Sequence, residues 1–359
     1  MEERNFQLAF SLVPGIGPKR FAGLLRVFGD ARDAWFGKYE DYKKAGIGDL
    51  TFEKFSKFRS SFDIKAYLEQ LKQKKVQFVA IADNNYPENL KKIDEAPLVI
   101  FVKGDIFNID GKKCIAVVGT RKITRYGEEV TAKLVLELVS QGFIIVSGLA
   151  LGVDVLAHKT AIEENAKTIA VLGSGVDCCY PRENMFIYEK IINGSGAVVS
   201  PFPLSMQPSI GTFPARNKII SGLSIGTLVT EAGFESGALI TANYARQQKR
   251  PVFAVPGPIT SKQSEGTAKL LKNGAIFIQN SQDILNYLGL KTSKSKDYSG
   301  LNLDKEEKQV FNVLRSESLN INDISKKTQI QISKLSAILT SLEIKGIVKN
   351  LGAGEFSIN

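Results

Sequence analysis

The sequence has few of the residues that bind metals or form cross-links. Of 359 residues only three are cysteine and one is histidine, and two of the cysteines are the adjacent pair Cys178-Cys179. Two neighbouring thiols and one distant thiol make no disulfide framework, and a lone His158 leaves no ligand spacing of the zinc-site type. Long apolar runs are missing too: none approaches the length that spans a bilayer. Glu2 and Glu3 follow the first methionine, with no apolar segment of signal-peptide length behind them. The expectation is a protein of a reducing cytoplasm with no membrane partner. No motif asks for a cofactor or a metal.

What is present describes an ordinary globular chain, 43% hydrophobic and 23% charged, long enough for two or three domains. The net charge of +10 points to a polyanionic partner. From Leu301 onward eight Lys/Arg stand against seven Asp/Glu, a net of +1, so the remaining +9 lies in the first 300 residues.

Four regions are expected. Residues 1–64 form a small helical module: Leu12-Val13-Pro14-Gly15-Ile16-Gly17-Pro18-Lys19-Arg20 has the outline of a helix-hairpin-helix, and Ala45-Gly46-Ile47-Gly48 is a poorer copy. Such glycine turns either face a phosphate with backbone N–H groups or merely join packed helices. Residues 65–290 alternate short β-branched runs with helical stretches, which predicts an α/β domain with a doubly wound, mostly parallel sheet. Residues 291–300 read as a polar linker. Residues 301–359, with three helical patterns and a hairpin signal at Gly352-Ala353-Gly354, read as a winged helix.

Ligands of an open α/β sheet lie beyond the carboxyl ends of its strands, and the unusual residues gather there. The first central strand delivers Gly119-Thr120-Arg121: room for a close backbone approach, a hydroxyl and a guanidinium fork, with Lys122 and Arg125 nearby. The second ends in Ser147-Gly148 and leads to Asp154 and His158, whose i,i+4 spacing allows either an acid/base couple or a structural pair. Gly173-Ser174-Gly175 is only a fragment of a dinucleotide fingerprint, so a nicotinamide cofactor is discounted. The stretch Phe213-Pro214-Ala215-Arg216-Asn217-Lys218 then turns apolar at Ile219-Ile220, which places a helix start at the two cations, where an anion and a stacked base are both accommodated.

Together, Val118-Gly119-Thr120-Arg121, Ser147 to Asp154 with His158, Tyr180-Pro181 with Asn184, Phe213 to Ser224, Glu231-Ala232, Ser236 to Ala242 and Val255-Pro256-Gly257 closely resemble the DNA-processing protein A (Smf) family. The resemblance implies an extended Rossmann-like domain between a helix-hairpin-helix (SAM-like) module and a winged helix. It further implies a non-enzymatic bacterial protein that binds single-stranded DNA, protects it during natural transformation and helps load the RecA recombinase, as a homodimer formed through the Rossmann domain. By the same likeness Gly119, Thr120, Arg121, Phe213, Arg216, Asn217 and Lys218 line the DNA site. Two positions depart from the family pattern: Ser200-Pro201-Phe202-Pro203 stands where many members have Ser-Glu-Tyr-Pro, and Lys218 replaces an arginine, keeping charge without the bidentate fork.

Two other functions compete. A nucleotide-processing enzyme of the LONELY GUY phosphoribohydrolase type needs a Pro-Gly-Gly-x-Gly-Thr-x-x-Glu loop; here Ser224-Ile225 precede Gly226-Thr227 and Glu231 falls one place late. A transcription regulator needs a groove-reading helix, but the stretch Gln331 to Lys345 offers Lys334 and Lys345 beside Glu343. Glu231 and Ser236-Gly237 are therefore expected to scaffold the groove.

Overall fold

The computed structural model describes residues 2–105, 113–290, 303–314, 318–352 and 354–358; the expected linker 291–300 lies outside them, as does Ala353 of the expected hairpin turn. The chain divides into two compact units, Met1–Ser293 and Lys294–Asn359.

The first unit opens with six helices: α1 (Glu3–Ser11), α2 (Pro18–Phe28), α3 (Ala31–Phe36), α4 (Tyr39–Lys44), α5 (Asp49–Ser61) and α6 (Ile64–Gln73). Three of them start on a local signal. Pro18 is pre-set for the first turn of α2, and the side chains of Asp30 and Asp63 accept from backbone N–H groups at the starts of α3 and α6. The two glycine turns sit where the sequence puts them, with Gly15 and Gly46 at φ 92° and 79°. Arg20 closes the first turn by donating to the Gly15 carbonyl at 2.6 Å. Phe10, Trp35, Tyr42 and Phe55 form the aromatic centre of this bundle, and the same apolar cluster continues into Val99, Phe101, Ala170 and Val198 of the sheet. Helices and sheet edge thus share one core.

The sheet contains β1 (Gln77–Ala80), β2 (Val99–Gly104), β3 (Cys114–Val118), β4 (Ile144–Ser147), β5 (Thr168–Val171), β6 (Gly196–Ser200), β7 (Thr227–Val229), β8 (Val252–Ala254) and β9 (Ile276–Phe277). Its order is β1-β2-β6-β5-β4-β3-β7-β8-β9. The pairs β1/β2 and β2/β6 are antiparallel and the rest parallel, with Ala116 level with Val146 on one side and Thr227 on the other. The crossovers carry α7 (Glu88–Lys91), α8 (Arg125–Ser140), α9 (Val153–Glu163), α10 (Met185–Lys190), α11 (Thr212–Leu223), α12 (Ala238–Gln247), α13 (Glu265–Lys272) and α14 (Ser281–Tyr287). All five residues of β3 are buried, as a strand covered on both faces requires. From β3 the chain builds outward through β4, β5 and β6, then returns to lay β7 on the other flank of β3. The strand order therefore reverses between β3 and β7, which is where such sheets open a crevice.

The second unit holds α15 (Lys305–Leu314), β10 (Leu319–Asn320), α16 (Ile321–Thr328), α17 (Ile332–Ile344), β11 (Val348–Gly352) and β12 (Glu355–Ile358). Its strands pair in the order β10-β12-β11 over a core that includes Val310, Ile324, Leu335, Leu342 and Val348. This is a winged helix. Lys334 pairs with Glu306 at 2.6 Å and Lys345 with Glu307 at 2.5 Å, so both cations at α17 are engaged within the unit.

Candidate nucleic-acid interface

Beyond the carboxyl ends of β3 and β7 lies a groove of about 780 Å³, walled by the turn after β3, the first half of α11 and the loop that enters α12. Small residues let these walls close up. A Cβ on Gly119 would stand 2.5 Å from Val153 Cγ2 and 2.6 Å from the Glu231 carbonyl oxygen, and one on Gly152, already at φ 77°, would stand 2.9 Å from the Arg121 carbonyl carbon. Glu231 ties the turns together. Its carbonyl accepts from Thr120 N–H at 2.7 Å, while its carboxylate accepts from Thr124 N–H at 2.9 Å and from Thr124 Oγ1 at 2.5 Å. Thr124 caps α8, so a buried carboxylate sits at the positive end of a 16-residue helix. Engaged in this way, Glu231 is structural.

The cation-bearing helix begins earlier than its sequence predicts. α11 starts at Thr212, with Pro214 accommodated in the first turn, so Arg216 lies in the second turn rather than at the helix start. Phe213, Arg216, Asn217 and Ile220 then recur at helical spacing along the groove wall. Lys218 falls off this stripe. Its ammonium lies 3.5 Å from Glu95 Oε2, and it does not line the groove. Of the seven predicted site residues, Gly119, Thr120, Arg121, Phe213, Arg216 and Asn217 are brought together and Lys218 is not.

Phe213 carries a cation on its ring. The Arg121 guanidinium lies 5.4 Å from the ring centroid, and the Tyr180 ring centroid lies 5.9 Å away, tilted by 37°. Arg121 is exposed and has no ion pair among the described residues. The glycine of the incomplete fingerprint serves this ring: a Cβ on Gly173 would stand 3.0 Å from Phe213 Cδ1. Asn217 Nδ2 donates to the Gly237 carbonyl at 3.3 Å and holds the start of α12 against α11. Arg125 is occupied by Glu129 at 3.1 Å.

Beneath the ring the electrostatics are those of a buried charge. Arg216 is 5% exposed; its Nη1 donates to the carbonyls of Gly148 and of Val171, the latter at 2.7 Å. Its Nε is buried and has no hydrogen-bond partner among the described residues. Burial pushes the guanidinium pKa down to about 10, opposed by the Asp154 carboxylate. Asp154, which accepts from Gly148 N–H at 3.1 Å, is shifted upward by burial against the pull of Arg216.

The acid/base couple that spacing allows for Asp154 and His158 is not formed. His158 Nδ1 lies 2.7 Å from Thr168 Oγ1 on β5, and burial, helped by Arg216, lowers its pKa to about 3. Asp154 is engaged by the loop that precedes its helix and His158 by the neighbouring strand. Tyr180 belongs to the family pattern but not to the predicted site: its ring meets Phe213, 33 positions on, and lines an adjoining pocket with Arg121, Phe213 and Arg216. No His/Cys/Asp/Glu group able to hold a metal occurs among the described residues. The arrangement can bind an anion between an exposed and a buried guanidinium, and can offer an aromatic face beside it.

Comparison with known proteins gives this geometry a family. The model for DNA recombination-mediator protein A matches residues 77–289, and that for the DprA winged helix domain matches 295–354. Protein Smf of Synechocystis is 38% identical over 296 residues, covering 80% of this chain and 73% of its own. The X-ray structure of DNA processing protein A from Streptococcus pneumoniae aligns with a TM-score of 0.69 at 32% identity, covering 79% of this chain and 97% of that one. DNA processing protein A from Helicobacter pylori, whose structure was described for its single-stranded DNA binding mode, aligns at 0.54 and 30% identity, covering 60% and 95%. Fold and sequence agree, and the chain belongs to the DNA recombination-mediator protein A family.

Proposed function

We propose that this protein binds single-stranded DNA along the groove between β3 and β7, protects it, and passes it to the RecA recombinase during natural transformation, acting in the cytoplasm as a homodimer joined through the Rossmann-like domain. The observation that carries the reading is the pairing, in one groove, of an exposed Arg121 over the Phe213 ring with a buried Arg216 whose Nε has no partner. Phosphate is the anion that satisfies such a guanidinium, and an aromatic face takes any base without regard to sequence. Gly119 and Thr120 shape the turn that presents Arg121, and Asn217 fixes the opposite wall. The relative from Helicobacter pylori, described as binding single-stranded DNA, supports the same use of the fold. Among the described residues no helix is long and apolar enough to cross a membrane.

The binding step is tested by titrating a fluorescent oligonucleotide against its duplex. Preference for the single strand is expected, and equal affinity contradicts it. The mediator step is tested by following RecA filament growth on single strands with and without the protein; an unchanged rate removes that role and leaves binding standing.

A further inference from the structure

The loop from β7 to α12 carries a feature that the groove described so far does not use. Residues 233–236 form a turn closed by Ser236 N–H donating to the Gly233 carbonyl at 3.1 Å. The turn is held from behind: Gly266 N–H donates to the Ala232 carbonyl at 2.8 Å, and a Cβ on Gly266 would stand 2.6 Å from that oxygen. At the tip of this pinned turn stands Phe234, 57% exposed, with the Lys269 ammonium 4.4 Å from its ring centroid. Lys269 has no ion pair among the described residues. Gly233, Glu235 and Ser236, on either side of the ring, line the groove.

A lone exposed phenylalanine needs no explanation. This one repeats the pairing found at the other end, where Arg121 lies over Phe213. The two pairs stand on opposite flanks of the β3/β7 reversal: Phe234 follows β7, and Lys269 follows β8, one strand further out. The ammonium covers one face of the ring, and the ring's exposure leaves the other to solvent. A cation beside an open aromatic face is what a nucleotide needs, phosphate on one and base on the other.

We propose that Phe234 and Lys269 form a second stacking and phosphate station, which lengthens the bound strand from the Arg121–Phe213 end across the groove. The inference rests on the single-strand reading above. Glu235, exposed on the same turn, repels phosphate there and directs the backbone toward Lys269.

The test uses the full-length protein and fluorescent oligothymidylates of about 4 and about 16 nucleotides. Phe234→Ala weakens the long oligonucleotide about tenfold and leaves the short one within about twofold, whereas Phe234→Tyr restores wild-type binding. Lys269→Gln weakens the long oligonucleotide and reduces the steepness of its salt dependence by about 0.7, the share of one phosphate. Wild-type affinity of Phe234→Ala at both lengths overturns the second station while the first stands. An equal loss at both lengths also overturns it, because the ring then serves the first station. Failure of the unsubstituted protein to bind either oligonucleotide refutes the underlying reading itself.

Discussion

Replacing Gly148 by alanine tests whether the buried guanidinium organises the groove. The backbone there is not in the left-handed region, so the effect is purely steric. The added Cβ would overlap Arg216 Nη1 and stand 2.5 Å from Arg216 Cζ and 2.7 Å from Asp154 Oδ2, whereas ordinary contact begins at 3.4 Å, so the guanidinium must retreat by more than about 0.9 Å. A shift of that size lengthens both Nη1 bonds, to Gly148 and to Val171, beyond useful range. Hydrogen bonds to charged groups contribute about 1.5–3 kcal/mol each, and the displaced guanidinium recovers part of this from water in the groove, so stability should fall by about 2–4 kcal/mol. Affinity for a single strand should fall by about one order of magnitude, one charged contact being lost from the site. Urea unfolding followed by circular dichroism reads the first quantity. Titration of a fluorescent oligonucleotide with folded variant reads the second. A variant with wild-type stability and affinity would refute the placement of Arg216 against Gly148.

Four other substitutions follow from the same geometry. His158 is held near pKa 3 in the fold against 6.5 unfolded, so its contribution to stability is full above about pH 6.5 and is lost as pH falls toward 3, at up to about 1.4 kcal/mol per pH unit. Asp154, shifted upward, works in the opposite sense, so the readout is the difference between wild-type and His158→Gln stability profiles; parallel profiles between pH 7 and 4 contradict the assignment. Glu231→Gln weakens the α8 cap and should cost about 1–2 kcal/mol of stability with single-strand affinity nearly intact; a large loss of affinity at unchanged stability would place the carboxylate in the binding step instead. Lys218→Ala should lower affinity by less than about twofold while Arg121→Ala lowers it about tenfold, and the reverse order would return Lys218 to the site.

Much of the architecture was legible because it follows from one-dimensional patterns. A strand buried on both faces, such as Cys114 to Val118, must be an unbroken apolar run, and the loops beyond such strands are where Gly119-Thr120-Arg121 was found. Phe213, Arg216 and Asn217 could be grouped because they fall in one short stretch with two cations, although that they share a helix face emerges only with α11 starting at Thr212. The exclusion of Lys218 was not legible: it depends on the phase of α11 against the sheet and on Glu95, 123 positions away. Glu231 reads as scaffold, but its partner Thr124, 107 positions distant, was not legible, and neither was that of His158, which finds Thr168 on β5 rather than Asp154 along its own helix. Local pattern fixes elements and faces. Partners in space decide which charges remain available.

The salt dependence of single-strand binding by the full-length protein tests the groove most directly. If Arg121, Lys122 and Arg216 hold phosphates in the groove, log affinity for an oligonucleotide of about 4 nucleotides, too short to engage Lys269, falls linearly with log salt with a slope of about −2, about −0.7 for each phosphate neutralised. Arg121→Ala should then remove about 0.7 of that slope, and Phe213→Ala should lower affinity with the slope unchanged, because stacking releases no counterions. A flat salt response, or a slope left untouched by Arg121→Ala, would contradict the claim that this groove holds the strand by its phosphates.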